Sequence, residues 1–181
     1  MSLKEYKRRR NFSVTGEPSA SRKRASSAAQ PSFVVQQHHA RRLHWDFRLE
    51  ADGVLKSWAV TKEPSMETAV RRLAIETEDH PLEYGHFQGQ IPAGEYGAGK
   101  VIIWDAGTFE SEASVSEAME RGLIEVFLKG KKLKGRFVLV RTRNTGPKAQ
   151  WLFFKAKPKI AKLRIPDVKS VVRKTPRKKT A

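Results

Sequence analysis

The stretch that most constrains this chain is Leu43-His44-Trp45-Asp46-Phe47-Arg48-Leu49-Glu50-Ala51-Asp52-Gly53. Side chains on a strand alternate between faces with a period of two. Trp45, Phe47 and Leu49 therefore share one face, and His44, Asp46 and Arg48 share the other. Asp52-Gly53 signals a two-residue hairpin turn, with Val54–Val60 as the return strand. Any fold that contains this hairpin must press its apolar side against a core. The other side is no ordinary wet face, which would favour Lys, Glu and Thr. It sets an imidazole, a carboxylate and a guanidinium in register, and that is the composition of a site.

The rest of the chain extends the β reading. Phe33-Val34-Val35 predicts a strand that runs on toward Gln36, Gln37 and His38. Pro64-Ser65 predicts one or two helical turns through Arg72, with Ser65 as N-cap, before a strand over Leu73–Glu78. Residues 79–99 read as a long irregular segment rich in Gly and Pro, a kind that is often functional. Further strands are expected at Lys100–Asp105, Ile124–Leu128, Arg136–Arg141 and Gln150–Lys155. A short helix is expected from Ser114 or Ser116 to Arg121, closed by Gly122. Gly94-Glu-Tyr-Gly-Ala-Gly99 resembles a phosphate loop, but a strand and not a helix follows it, so it reads as a turn. Trp151-Leu-Phe-Phe154 belongs to the core. Seven or more short strands with two brief helices make the fold mainly β, an antiparallel barrel or sandwich.

Charge divides the chain. Residues 1–30 hold eight basic and two acidic residues, and 155–181 hold eleven and one. Residues 31–154 are nearly balanced, with seventeen basic and sixteen acidic. The excess of +17 thus sits in the flanks, which would attract a polyanion such as nucleic acid through counterion release. The expected organisation is a basic N-terminal arm and linker over 1–30, a barrel over 31–157 and a basic tail over 158–181. Residues 19–31, rich in Ser and Ala, are the flexible part of that arm; both termini are expected to be flexible. There is no cysteine, which excludes disulfides and thiolate metal sites. No secretory signal is evident, and the longest aliphatic runs are of strand length. The expectation is a soluble, intracellular protein with no membrane segment.

All five histidines lie between 38 and 86. His44 and Asp46 are two apart on a strand and can aim at one ion, and a turn over Ala40-Arg41-Arg42 would return His38 to the same place. Imidazole and carboxylate together suit Mn, Fe or Zn, whereas Mg and Ca prefer oxygen alone. The planar fork of Arg48 matches phosphate oxygens. His80, held extended by Pro81, is placed to protonate a leaving oxygen or to hydrogen-bond a transition state, with Tyr84 in reach, whereas His86 is expected simply to pack at the barrel mouth. Two other readings fit these residues. One is a cupin-like Fe(II) oxygenase with His80 as the distant ligand of His44-x-Asp46. The other is a non-catalytic nucleic-acid-binding β-barrel that works through its basic flanks.

His38-x5-His44-x-Asp46-x-Arg48, set in FVVQQHHARRLHWDFRLEADGVLKSWAV, with EDHPLEY and IPAGEYGAGKVIIWD downstream, resembles the 3′-phosphoesterase module of bacterial DNA ligase D and its stand-alone relatives. The likeness covers roughly residues 4–157. It implies a small antiparallel β-barrel and a Mn²⁺-dependent enzyme, with other divalent transition metals as alternatives. It also implies removal of a 3′-terminal ribonucleoside and then of the 3′-phosphate, leaving a 3′-OH, in non-homologous end joining. The implied partners are 3′ ends of DNA or DNA/RNA primer-templates, a separate DNA ligase and end-joining proteins, in the cytoplasm at the nucleoid. By this resemblance His38, His44 and Asp46 are the metal ligands. Arg48 and His80 contact the scissile phosphate with Tyr84 beside them, and Gln36 and Glu78 are further active-site positions. Arg10, Asn11 and Glu17 match substrate-binding positions in residues 4–18, an arm expected over the site. The family pattern there is Arg-Asp-Phe, and this chain has Arg10-Asn11-Phe12. Asn is no anionic acceptor, so the ribonucleoside-removing step is the one placed in doubt.

Overall fold

The computed structural model describes residues 2–19, 30–142, 146 and 148–157. The expected tail over 158–181 and nearly all of the expected linker lie outside the described residues. An arm bearing helix α1 (Leu3–Arg8) is followed by strands β1 (Ser32–His39), β2 (Leu43–Ala51), β3 (Val54–Val60) and β4 (Arg71–His80). A 3-10 turn over Leu82–His86 leads to β5 (Gly89–Ile91) and β6 (Gly99–Glu110). Helix α2 (Val115–Arg121) precedes β7 (Leu123–Gly130), β8 (Lys134–Arg141) and β9 (Gln150–Lys155).

The strands pair in the order β1-β2-β3-β4-β9-β8-β7-β6, every pair antiparallel, and β6 returns to β1. The result is an eight-stranded closed barrel, with β5 as a short addition beside the start of β6. Closure removes the unpaired edges of an open sheet. The barrel reading from the sequence is thus borne out, as is the hairpin: Asp52 and Gly53 both have positive φ, 51° and 75°, the requirement of a type I′ turn. Ser114 is the residue that caps α2, accepting from the Glu117 N–H, and Gly122 ends the helix at φ 76°.

One face of each strand fills the barrel. Phe33, Val35, Trp45, Phe47, Leu49, Trp58, Val60, Phe137, Leu139, Trp151 and Phe153 are buried in a single cluster. Phe153 stacks between Phe47 and Phe137, with centroids 4.7 and 5.3 Å away. Burying each such aromatic stabilises the fold by roughly 1.5–3 kcal/mol. Of Trp151-Leu-Phe-Phe154, only Trp151 and Phe153 are in this core; Leu152 and Phe154 point the other way and are half-buried. A second, smaller cluster lies outside the barrel wall, where Tyr6 of the arm meets Leu55 and Tyr84.

Three segments differ from expectation. No helix forms over 65–72; the chain turns through 61–70 and β4 begins at Arg71. The Ser65 hydroxyl accepts from the Glu67 N–H, a local turn that competes with helix propagation. Arg71 and Arg72 are meanwhile taken by pairing with Phe154 and Phe153. The segment 79–99 is less irregular than its composition suggests, because Asp79 and His80 continue β4 and the 3-10 turn and β5 follow. Helix α1 is not among the helices expected from the sequence; it is held by Tyr6, fully buried, and by Glu5 pairing with Arg8 and Arg9.

Candidate metal centre

The outer face of β1–β4 carries the polar residues that the inner face excludes. His38 on β1 lies directly opposite His44 on β2, and Gln36 opposite Asp46. Asp46 is opposite Ala59, and Arg48 is opposite Ser57, on β3. Between β3 and β4 the register shifts, so the three steps from Thr77 to His80 face only two from Ser57 to Leu55. Such a bulge re-aims side chains, and Glu78 and His80 both end up buried beside this face. His38, His44, Asp46, Arg48, Glu78 and His80, with Arg10 and Tyr96, line a cavity of about 290 Å³.

His38, His44 and Asp46 offer ligand atoms that all lie within 4.8 Å of one another, a possible metal-binding triad. The hydrogen bonds around them say what the nitrogens carry. His38 donates from Nε2 to the Gly97 carbonyl at 2.8 Å, and His44 donates from Nδ1 to the Arg42 carbonyl at 2.9 Å. A carbonyl can only accept, so each ring keeps its proton there and turns a lone pair on the other nitrogen toward Asp46. Those nitrogens, His38 Nδ1 and His44 Nε2, stand 3.5 Å from the two carboxylate oxygens. Burial would raise the Asp46 carboxyl, but Arg48, then His38 and His44, hold it well below the usual carboxylate range. Two lone pairs and an ionised carboxylate facing one point call for a cation. Without a metal, a proton partly answers: burial pushes the His44 imidazole down, and Asp46 more than offsets this to raise it. Fixing the remote ring N–H on a backbone carbonyl is how metal-ligating histidines are oriented, so the residues present fit a divalent ion.

Glycine makes the Gly97 contact possible. Gly97 has φ 79° and Gly99 has φ 141°. A Cβ on Gly99 would fall 2.3 Å from the His39 carbonyl oxygen. The 94–99 turn can therefore lie against the end of β1 only with glycine at that place.

Arg48 is 2% exposed and tied on three sides. Its Nε donates to Gln36 Oε1 at 2.7 Å, Nη1 to Ser57 Oγ at 2.9 Å and Nη2 to Asp46 Oδ2 at 3.0 Å. Of the five N–H groups of a guanidinium, these bonds use three. Gln36 in turn donates to the carbonyls of Tyr84 and Phe87, which fixes the 3-10 turn against the strand. The Tyr84 ring lies 4.7 Å from the Arg48 guanidinium carbon.

His80 lines the same cavity but is not among the grouped ligands. Its Nδ1 meets the Glu78 carbonyl at 2.8 Å and Ser57 Oγ at 3.3 Å; its Nε2 accepts from Arg10 Nη2 at 3.2 Å. Burial, with Arg48 and Arg10 nearby, pushes this imidazole well below the ordinary histidine value, so it is neutral. The oxygenase reading, which needs His80 as a ligand, finds no support in this geometry. Arg10 also donates to Glu17 at 2.8 Å and to Glu78 at 3.1 Å, with all three side chains at most 5% exposed. Glu17 further accepts from the Tyr84 hydroxyl at 3.0 Å. Arg9 reaches both Glu78 and the Tyr96 hydroxyl. Asn11 does not join this network: its side-chain oxygen accepts from the N–H and hydroxyl of Ser13. His86 is exposed and lies outside the cavity lining. Sequence reasoning missed Ser57, Thr77, Tyr96, Lys148 and the Gly97 carbonyl, none of which carries a motif. Of these, Tyr96 and Gly97 stand in the glycine-rich turn 94–99, which reads from the sequence as a turn and not as part of a site.

Comparison with known proteins agrees with this geometry. The family model described as DNA Ligase D 3′-phosphoesterase domain matches residues 36–141. The chain is 50% identical over 155 residues to the multifunctional non-homologous end joining protein LigD of Pseudomonas aeruginosa, covering 86% of this chain and 18% of that protein. It is 49% identical over 155 residues to the multifunctional non-homologous end joining DNA repair protein LigD of Mycobacterium tuberculosis, covering 86% and 20%. Against the LigD of Mycolicibacterium smegmatis it is 47% identical over 147 residues, covering 78% and 19%. The chain thus spans about a fifth of the length of these relatives.

Proposed function

This chain belongs to the DNA ligase D 3′-phosphoesterase domain family, and from that premise we propose that it is a divalent-metal-dependent phosphoesterase that heals the 3′ ends of nucleic acid strands. The proposed metal is Mn²⁺, held by His38, His44 and Asp46. The proposed substrates are 3′ ends of DNA or DNA/RNA primer-templates, trimmed first of a terminal ribonucleoside and then of the 3′-phosphate, to leave a 3′-OH. The setting proposed is non-homologous end joining in the cytoplasm at the nucleoid, beside a separate ligase and end-joining proteins.

The observation that carries this reading is the convergence of two imidazole lone pairs and an ionised carboxylate on one point, with a guanidinium bound to that same carboxylate. When bound, the metal would supply positive charge to phosphate oxygens and so ease attack on phosphorus. Arg48 has two N–H groups left to hold other oxygens of that phosphate. Tyr84 and Gln36 keep Arg48 in place. His80 is neutral, with its Nδ1–H spent on the Glu78 carbonyl and its Nε2 lone pair on Arg10. In this reading it meets the scissile phosphate together with Arg10, as an uncharged neighbour. Glu78 and Glu17 hold Arg10 over the cavity, and Arg10, Glu17 and Asn11 form the arm's contribution to substrate binding.

The test uses two primer-templates, one ending in a single 3′-ribonucleotide and one in a 3′-phosphate. Each is incubated with the full chain and Mn²⁺, and the end group is followed with time. Conversion of both to a 3′-OH, stopped by a chelator, is expected. An unchanged 3′-phosphate in the presence of Mn²⁺, Zn²⁺ and Mg²⁺ in turn would overturn the reading.

A further inference from the structure

We infer that Lys148 and Thr77 form a second anion subsite of this cavity, one that holds the internucleotide phosphate next to the reacting phosphate. The inference rests on the phosphoesterase reading above and deepens it. Thr77 lies directly opposite Ser57 in the β3–β4 register, and both it and Lys148 line the cavity that holds Asp46 and Arg48. Its hydroxyl oxygen is buried and has no hydrogen-bond partner. Burying a polar group unpaired is unfavourable, so such a hydroxyl in a cavity wall needs an account. Lys148, exposed just before β9, brings an ammonium to the same cavity.

The charges of the lining residues single out this side. Arg48 is matched by Asp46, and Arg10 by Glu17 and Glu78. Among the described residues, Lys148 has no carboxylate partner. Between the two sides stands Ala59, in register with Asp46 on β2 and Ile75 on β4, whose small side chain leaves the wall low. This side of the cavity thus holds a buried hydroxyl with no partner and an ammonium with no carboxylate partner among the described residues. An anionic oxygen answers both. A phosphate monoester held at Arg48 has no second anion to give, whereas a polynucleotide carries its next phosphodiester one sugar away. The subsite therefore selects a strand over a mononucleotide.

The test is a cycle between Lys148 and that phosphate. A fluorescent oligonucleotide with a 3′-phosphate is compared with one whose last internucleotide phosphodiester is an uncharged methylphosphonate. Equilibrium Kd and phosphate release are both measured with the full chain and Mn²⁺. Methylphosphonate should raise the wild-type Kd roughly fivefold, the worth of one exposed charge contact. Lys148→Ala should raise it by the same factor, and the two changes together should cost about fivefold and not twenty-five-fold, because they remove one interaction. The salt dependence of log Kd should flatten by roughly 0.7–0.9 in Lys148→Ala. Thr77→Val should raise Kd while leaving the melting temperature unchanged or higher, since no protein group loses a partner. Independent effects that multiply, or an unaltered salt slope in Lys148→Ala, overturn the subsite. Failure of the wild type to release phosphate speaks against the phosphoesterase reading alone, because the Kd cycle does not need turnover.

Discussion

The hairpin half of the site and the arm half are built by opposite means. His38, His44, Asp46 and Arg48 lie within eleven residues on two paired strands, and His38 and His44 are direct cross-strand neighbours. Their relative positions follow from the pleat and from one tight connection. Arg10, by contrast, meets Glu78 and His80 across 68 and 70 residues of chain. Among the described residues no backbone hydrogen bond joins the arm to β4; buried ion pairs and the packing of Tyr6 against His80 and Tyr84 do. A site half fixed by strand register and half by side-chain ion pairs should come apart from the ion-paired half, the arm first.

The comparison can be broken most severely from the hairpin side. Asp46→Ala removes the only carboxylate of the triad, and roughly 10³-fold or more of the activity should go with it, together with metal binding measured by calorimetry. Full Mn²⁺-dependent turnover in this variant would show that the basic flanks and not the triad carry the function. Arg10→Ala attacks the other half. It leaves Glu17 and Glu78 buried beside an empty place, which should cost roughly 3–5 kcal/mol in chemical denaturation, while metal affinity stays close to wild type. An equal loss of metal affinity would show that the two halves are one unit.

A smaller effect sharpens the comparison through pH. His80 has a lowered folded value, so its contribution to stability is present above the ordinary imidazole value of 6.5 and lost as pH falls below it. His44 has a raised value, so its contribution is present below 6.5 and lost as pH rises through the folded value. In metal-free protein the two oppose each other. His80→Gln leaves only the second, so its melting temperature should hold up better than wild type between about pH 7 and 5.5, with slopes differing by at most about 1.4 kcal/mol per pH unit. Parallel curves would show that burial and the neighbouring Arg48 and Arg10 do not hold His80 neutral. The mildest change is Asn11→Asp. Aspartate can accept from Ser13 as Asn11 does, so stability should stay within about 0.5 kcal/mol. Ribonucleoside removal should rise several-fold relative to phosphate removal. Equal ratios in the two proteins would separate Asn11 from substrate choice.

The same division explains what could be read from the sequence. The β2 alternation, the Asp52-Gly53 turn and the Ser114–Gly122 limits of α2 are local rules, and each was legible. His44 and Asp46 were legible because they sit at strand spacing, and His38 because a turn over 40–42 returns the chain beside them. Helix α1 was not, since six residues are too few to hold a helix by propensity and burial of Tyr6 decides the matter. Ser57, Thr77 and the Gly97 carbonyl were invisible because hydroxyls and backbone groups acquire a role only from what stands opposite. The helix expected at 65–72 failed because pairing with β9 outweighed a weak capping signal.

A closed ring of strands often keeps its chemistry in a lumen, and whatever reacts there must thread inside. Here aromatic rings plug the lumen, and His38, His44 and Asp46 stand on the exterior of the staves. If the proposed function holds, a strand end would be met broadside, with no limit set by bore on the bulk of whatever trails behind it.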